Sequence, residues 1–156
     1  MRLSEILSVD LIEINLKAKD KDSVLEEMVD LLFKAGKIKD KKEILDDVKK
    51  REALMSTGIG HGVAIPHAKS KGVDTLISAF GRSKEGIDFK SLDGEPVYLF
   101  FMLLSPEDIT GPHIKALAKI SRLLKHHYIR EMLKSTDIDI PEKALELIQK
   151  EEIKHL

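Results

Sequence analysis

The sequence predicts an α/β (α+β) fold, a three-layer α-β-α sandwich around a mixed sheet, and three observations lead there. Apolar residues recur at helical spacing in the first and last thirds of the chain and change to strand-like patterning in the middle. The segment Val97–Leu104, VYLFFMLL, is apolar throughout, as a strand covered on both faces must be. The order read along the chain is β-α-α-β-β-β-α-α-α, which needs helices packed on both sides of the sheet.

Asp10–Leu16 alternates imperfectly and reads as the first strand. Ser23–Lys34 places Val24, Leu25, Met28, Leu31 and Leu32 on one helical stripe, and Gly36 supplies a left-handed stop. Asp40 is the expected N-cap of a second helix reaching about Leu54, with Ile44, Leu45 and Val48 turned inward. Gly62–Pro66, Asp74–Arg82 and Pro96–Leu104 read as strands, with Pro96 at a strand start where a missing N–H is tolerated. Thr110-Gly111-Pro112 carries helix-start signals ahead of Ile114, Leu117, Ile120, Leu123 and Leu124. A short helix at Tyr128–Leu133 and a last one from Pro141 to about Glu151 complete the list. No internal repeat and no Pro/Gly/Ser-rich linker divides the chain, so residues 1–156 are expected to form a single domain.

Composition removes several classes of function. The 26 Lys and Arg are balanced by 27 Asp and Glu, so the basic excess of a nucleic-acid binder is missing. Zero Cys excludes disulfides, a thiol nucleophile on this chain and thiolate zinc sites. The N-terminus shows no apolar signal region and no apolar run approaches a membrane span, so a soluble cytoplasmic protein without membrane insertion is expected. Lys far outnumbers Arg, and Asn15 and Gln149 are the only side-chain amides. That pattern fits heat adaptation or the drift of a small sample.

The densest cluster of chemistry-bearing residues runs from Arg51 to His67. Gly58, Gly60 and Gly62 alternate in a backbone able to approach a ligand and turn N–H groups to an anion, although hairpin turns use the same residues. Neither the Walker A nor the dinucleotide pattern is present. His67 follows Pro66, whose fixed φ can help aim it from the sheet edge. A neutral imidazole is a nucleophile near neutral pH, though a lone His is more often merely hydrogen-bonded. His113 follows Pro112 at a helix start, where free amides and the helix dipole favour negative charge. Arg51 adds a planar, permanent cation matched to phosphate oxygens. Together the three supply a nucleophile, an oxyanion donor and a charge clamp, the parts of a phosphoryl-transfer site.

The other histidines carry less. His61 fills a loop or a rim, His126 and His127 are expected to end a helix, and His155 to lie in a frayed tail. The spacing of His61 and His67 matches no metal site, and no HExxH occurs, so no metal is expected. Apolar Ile59, Val63, Ala64 and Ile65 beside His67, and Ile109 before His113, suit either a docking rim or core packing.

The segment IGHGVAIPHA at Ile59–Ala68, within a match running from Glu52, resembles the phosphorylation-site signature of enzyme IIA. The class is the fructose/mannitol one of the bacterial phosphoenolpyruvate-dependent phosphotransferase system, nitrogen-regulatory members included. Further matching stretches are Arg51–Gly60, Ala79–Arg82 (AFGR), Gly86–Gly94 and the helix from His113, so the resemblance covers about Leu3 to Lys150. It implies that His67 is the phosphoryl acceptor through Nε2 and that His113 and Arg51 stabilise the group. Amides of the loop holding Ser56, Thr57, Gly58 and Gly60 are expected to bind its oxygens. Ala68 stands where many relatives carry Gly. No cofactor is implied. The implied donor is the histidine phosphocarrier HPr or its nitrogen-branch counterpart.

The implied acceptor is a Cys of an enzyme IIB, consistent with the absence of Cys here. Alternatively, phosphorylation is a regulatory state acting on transporters, kinases or other partners. A chain ending near residue 156 suits either role, and STGIGHGVAIPHAK is somewhat closer to the nitrogen-regulatory branch. A non-catalytic binding module of the same fold is disfavoured because His67, His113 and Arg51 are all present.

Overall fold

The computed structural model describes residues 1–155. Its elements are β1 (Ile12–Glu13), α1 (Lys21–Lys34), α2 (Lys41–Leu54), β2 (Gly58–Gly60), β3 (Val63–Ala64), β4 (His67–Lys69), β5 (Ile77–Ile87), β6 (Val97–Ser105), α3 (Gly111–Leu124), α4 (His127–Lys134) and α5 (Pro141–His155). The strands form one mixed sheet in the order β1-β5-β6-β3-β2, with β4 also on β6. Helices α1 and α2 make one packed group, and α3, α4 and α5 another. The expected interleaving of helical and sheet layers is therefore what the chain adopts.

Local chemistry sets the helix ends. Asp20 accepts a hydrogen bond from Ser23 N–H at 2.8 Å and Asp40 one from Glu43 N–H at 3.1 Å, capping α1 and α2. Gly36, at φ 76°, ends α1 as anticipated: Lys37 N–H reaches Leu32 O and Gly36 N–H reaches Phe33 O, each at 3.0 Å.

The centre of the sheet is β6, which is buried along its whole length except for the half-buried Tyr98. It runs antiparallel to β5 and parallel to β3 and β4. Phe80 meets Phe101 edge to face at 5.8 Å between centroids, and Phe89 meets Phe100 at 5.5 Å. Adjacent residues of β5 show that both faces are covered. A Cβ on Gly81 would run into Met28 of α1, whereas the Arg82 side chain reaches carbonyls at the end of α4 and in the connection to α5.

Several boundaries differ from those the pattern suggested. The first strand shrinks to Ile12–Glu13 because Val9–Leu11 forms a 3-10 turn and Asn15 N–H turns back to the Glu13 carboxylate. The segment read as Gly62–Pro66 is one extended run broken by Pro66. Val63 pairs with Leu99 and His67 with Leu103 in the same register, but Pro66 has no N–H to donate and Ile65 N–H goes to Thr57 O. Strand β5 starts and ends later than expected, since Ser83–Gly86 bulge opposite the single residue Tyr98. Ile114 is exposed, because the buried stripe of α3 runs through His113, Ala116, Ile120 and Leu123, and Ile114 sits about 100° round the helix from His113. Leu45 and Leu117 are only partly buried.

Gly58 illustrates how tightly the loop after α2 is packed. A Cβ there would lie 2.8 Å from Ser91 Cβ and 3.1 Å from its Cα. Gly58→Ala is expected to destabilise the fold by about 1–3 kcal/mol, measurable by urea unfolding, because backbone must shift to admit the methyl group.

Candidate active site

The geometry begins with three elements meeting at one end of β6. Parallel pairing of β4 with β6 sets His67 beside Leu103. The chain leaves β6 at Ser105 and re-enters a helix at Gly111, so His113 lies in the first turn of α3. Helix α2 packs along β4, which brings Arg51 of its last turn to the same place. The result is a cleft of about 420 Å³ lined by Asp47, Lys50, Arg51, His67, Ala68, Lys69 and His113. The rings of His67 and His113 lie 5.6 Å apart, tilted by 59°.

The half-buried ring of His67 has its Nδ1 2.8 Å from Ile65 O. A carbonyl only accepts, so in the neutral ring Nδ1 carries the proton and Nε2 the lone pair. Burial lowers the pKa of His67 below its ordinary value of 6.5, against the pull of the Ile65 carbonyl, and the Arg51 charge lowers it further. His113 is buried, with Nδ1 2.5 Å from Ser105 Oγ. Burial, and then the neighbouring His67 and Lys69, push its pKa down to about 4. Both rings are therefore neutral at pH 7, beside the fixed cations Arg51, Lys50 and Lys69 and the single carboxylate Asp47. An anion is the ligand this charge distribution favours.

These shifts have a measurable sign. The unfolded chain protonates His113 near pH 6.5 and the folded one only near 4. The stability contributed by the neutral ring is complete above pH 6.5, declines as pH falls towards 4, and levels off below that. His113→Gln is expected to flatten that part of the profile, as urea midpoints of the two proteins across this window would record.

Other residues hold the frame. Arg51 donates from Nη1 to Met55 O at 2.9 Å, which closes the end of α2. The buried Glu52 carboxylate accepts from Thr57 N–H at 2.9 Å and Thr57 Oγ1 at 2.6 Å, and pairs with Lys21 Nζ at 2.9 Å. Lys69 Nζ donates to Thr110 Oγ1 at 2.8 Å, joining the end of β4 to the start of α3. Asp47 accepts from Ser70 Oγ at 2.6 Å.

The structure thus brings His67, His113 and Arg51 together and sets the glycine loop apart from them. Thr57 and Gly58 are buried, with the Thr57 donors on Glu52 and Gly58 N–H on Ser56 Oγ at 3.1 Å. Gly60 turns towards the Asp93 carboxylate, and neither it nor Ser56 lines the cleft. The loop builds a hairpin: β2 and β3 pair antiparallel, and Gly60, His61 and Gly62 at their junction have positive φ, from 58° to 93°. Ile59 is exposed, whereas Val63, Ala64 and Ile65 are core. His126 and His127 begin α4 instead of ending α3. His155 is the last residue of α5 and not in a frayed tail, with Nε2 3.2 Å from Glu151 Oε2 and its ring 4.2 Å from that of His126, tilted by 33°. Lys69, Asp47 and Ser105 escaped the sequence reading. The first two had a signal, since Lys69 is two strand positions beyond His67 and Asp47 is one helical turn before Arg51.

Comparisons with known proteins bear on the family and the fold. Residues 5–151 match the family model for the phosphoenolpyruvate-dependent sugar phosphotransferase system, EIIA 2. The chain is 44% identical over 133 residues to the fructose-specific EIIABC component of Bacillus subtilis, a match covering 85% of this chain and 21% of that longer protein. It is 36% identical over 138 residues to a nitrogen regulatory protein of Bradyrhizobium diazoefficiens, covering 87% of this chain and 88% of the relative. The crystal structure of nitrogen regulatory protein IIA-Ntr from Neisseria meningitidis superposes with a TM-score of 0.86 at 34% identity, over 94% of this chain and 98% of that one. The mannitol enzyme IIA in the Escherichia coli complex with phosphorylated enzyme IIB shares the fold, with a TM-score of 0.77 at 21% identity over 91% of this chain and 96% of that one. With a family model spanning nearly all of its length, the chain belongs to the EIIA type 2 family of the phosphoenolpyruvate-dependent sugar phosphotransferase system.

Proposed function

We propose that this chain carries a phosphoryl group on His67 Nε2, taken from the phosphohistidine of an HPr-type carrier. It then either passes the group to a Cys of an EIIB partner or holds it as a regulatory signal. The observation that carries this reading is the bond from His67 Nδ1–H to Ile65 O, which leaves a neutral, lone-pair-bearing Nε2 in a cationic cleft. Transfer balances without a cofactor. The Nε2 lone pair forms the new N–P bond while the donor's N–P bond breaks, and the donor's protonated phosphoimidazole leaves as neutral imidazole. His67 keeps the Nδ1 proton throughout, so the phosphorylated ring is cationic and a good leaving group for onward transfer. The Ile65 carbonyl therefore both aims the nucleophile and activates the product. Arg51 and His113 hold the phosphoryl oxygens, with reacting atoms needed in line at about 3–3.5 Å.

Exchange with an HPr-type carrier requires a shared compartment, which makes the chain cytoplasmic in this reading. Among the described residues, no helix is long and apolar enough to cross a membrane. Similarity to both a fructose component and nitrogen regulatory proteins supports the two fates alike.

The test is incubation with phosphorylated HPr followed by candidate EIIB proteins, tracking the label. Uptake as an acid-labile, base-stable phosphoramidate is expected; no uptake from HPr or its nitrogen-branch counterpart would refute the reading. Passage of label to an EIIB thiol selects the sugar relay, and its retention selects the regulator. His113→Ala is expected to slow uptake by about 10²-fold, the effect of one lost transition-state donor.

A further inference from the structure

We infer that Ser105 is a positioning residue of the site, its hydroxyl donating to His113 Nδ1 and so holding the His113 proton on Nε2, where it faces the phosphoryl group. This rests on the phosphocarrier reading for its consequence, but its geometry stands separately. Ser105 is fully buried at the last position of β6, and its Oγ lies 2.5 Å from His113 Nδ1. Its backbone is pinned there, with its carbonyl accepting Ser70 N–H at 2.9 Å. Among the described residues, Ser105 Oγ has no hydrogen-bond partner besides that ring nitrogen.

A neutral imidazole has one ring proton to place, and two arrangements share this contact. If Nδ1–H donated to Oγ, the serine hydrogen would be stranded in the interior without an acceptor, and stranded buried donors are costly. The Nε2 lone pair would also face the cleft, repelling phosphoryl oxygens. If the hydroxyl donates to Nδ1, every buried group is satisfied and Nε2–H becomes a neutral donor. The low pKa of His113 agrees, because it keeps the ring neutral throughout the physiological range.

The two histidines then hold opposite tautomers, each imposed by the group behind it. A carbonyl behind His67 makes Nε2 a nucleophile, and a hydroxyl behind His113 makes Nε2 a donor.

The experiment combines ring spectroscopy with transfer rates. Long-range 1H–15N correlation spectra of the unphosphorylated protein at neutral pH are expected to show His113 protonated at Nε2 and bare at Nδ1. In Ser105→Ala the ring should shift towards the other tautomer, and phosphoryl uptake from phospho-HPr should slow by about 10-fold, on the scale of one hydrogen bond. Ser105→Thr, which keeps the hydroxyl, should restore both. Should Thr not fit the interior, His113→Gln and His113→Asn separate the same alternatives. Gln places an amide donor near the Nε2 position and should transfer faster than Asn, which places its amide near Nδ1. A wild-type His113 protonated at Nδ1, an unchanged tautomer in Ser105→Ala, or Asn matching Gln would overturn the proposal. Failure of the wild-type chain to take up label would instead refute the phosphocarrier reading, and the ring spectra would still decide the tautomer.

Discussion

His67→Ala is expected to take up no phosphoryl group from phospho-HPr while folding as the wild type does. The mutation removes the neutral imidazole lone pair that His67 presents to the cleft. None of the remaining lining groups replaces it, since Arg51, Lys50 and Lys69 are cations and Asp47 is engaged by Ser70. His113 cannot substitute if its Nε2 is protonated, and its ring lies 5.6 Å away, too far to meet a phosphorus positioned for His67. The fold should survive because His67 is only half-buried and makes a single hydrogen bond, to Ile65 O. Losing it costs about 1 kcal/mol. Intact-protein mass after incubation with the donor gives the result directly, and a mutant that still gains one phosphoryl group would remove His67 as the acceptor.

The largest expected loss of stability is at Arg82. Its guanidinium is buried, and its donors end on four carbonyls: Ile14 O from Nε at 3.0 Å, Leu133 O and Ser135 O from Nη1 at 3.0 and 2.8 Å, and Ile138 O from Nη2 at 2.7 Å. One side chain thus ties the β1 end of the sheet to the connection between α4 and α5. Burial lowers its pKa, yet a guanidinium stays charged, so no protonation change can relieve it. Arg82→Met fills similar space but leaves carbonyls without donors. With each buried carbonyl left unpaired costing about 1–3 kcal/mol, the expected total is about 3–5 kcal/mol, a large share of the 5–15 kcal/mol typical of a whole domain. Arg82→Lys should recover only part of it, since an ammonium cannot span the same fan of acceptors. Urea unfolding measures both, and a loss below about 1 kcal/mol for Met would show that the fan is not cooperative.

Arg82 also shows where a sequence stops being readable. Its presence in a strand was visible in AFGR, but its partners lie more than 50 residues away and are backbone atoms, which no side-chain pattern announces. The helices and the buried centre of the sheet were legible because burial leaves periodicity in the side chains themselves. His67, Arg51 and His113 were legible because each carries a local signal: a preceding proline, a helix end, a helix start. Their convergence was not, since it depends on the register of β4 against β6. The glycine loop was ambiguous for the opposite reason, because positive φ serves a hairpin and an anion cradle equally. Ser105, among the commonest of residue types and at the end of an apolar run, carried no signal at all.

The interruption at Pro66 also bears on how the molecule avoids sticking to copies of itself. Among the described residues, strand β4 has β6 on one side and no strand on the other, which makes it a border where a foreign strand would find vacant hydrogen-bonding positions. The Ile65 carbonyl at this border is taken by the imidazole two residues on, Pro66 offers no N–H, and Lys69 brings a charge. The His67 ring therefore doubles as a guard on the sheet. A variant that loses it, such as His67→Ala, should aggregate more readily on prolonged storage than a variant at His113, although both are expected to be impaired in transfer.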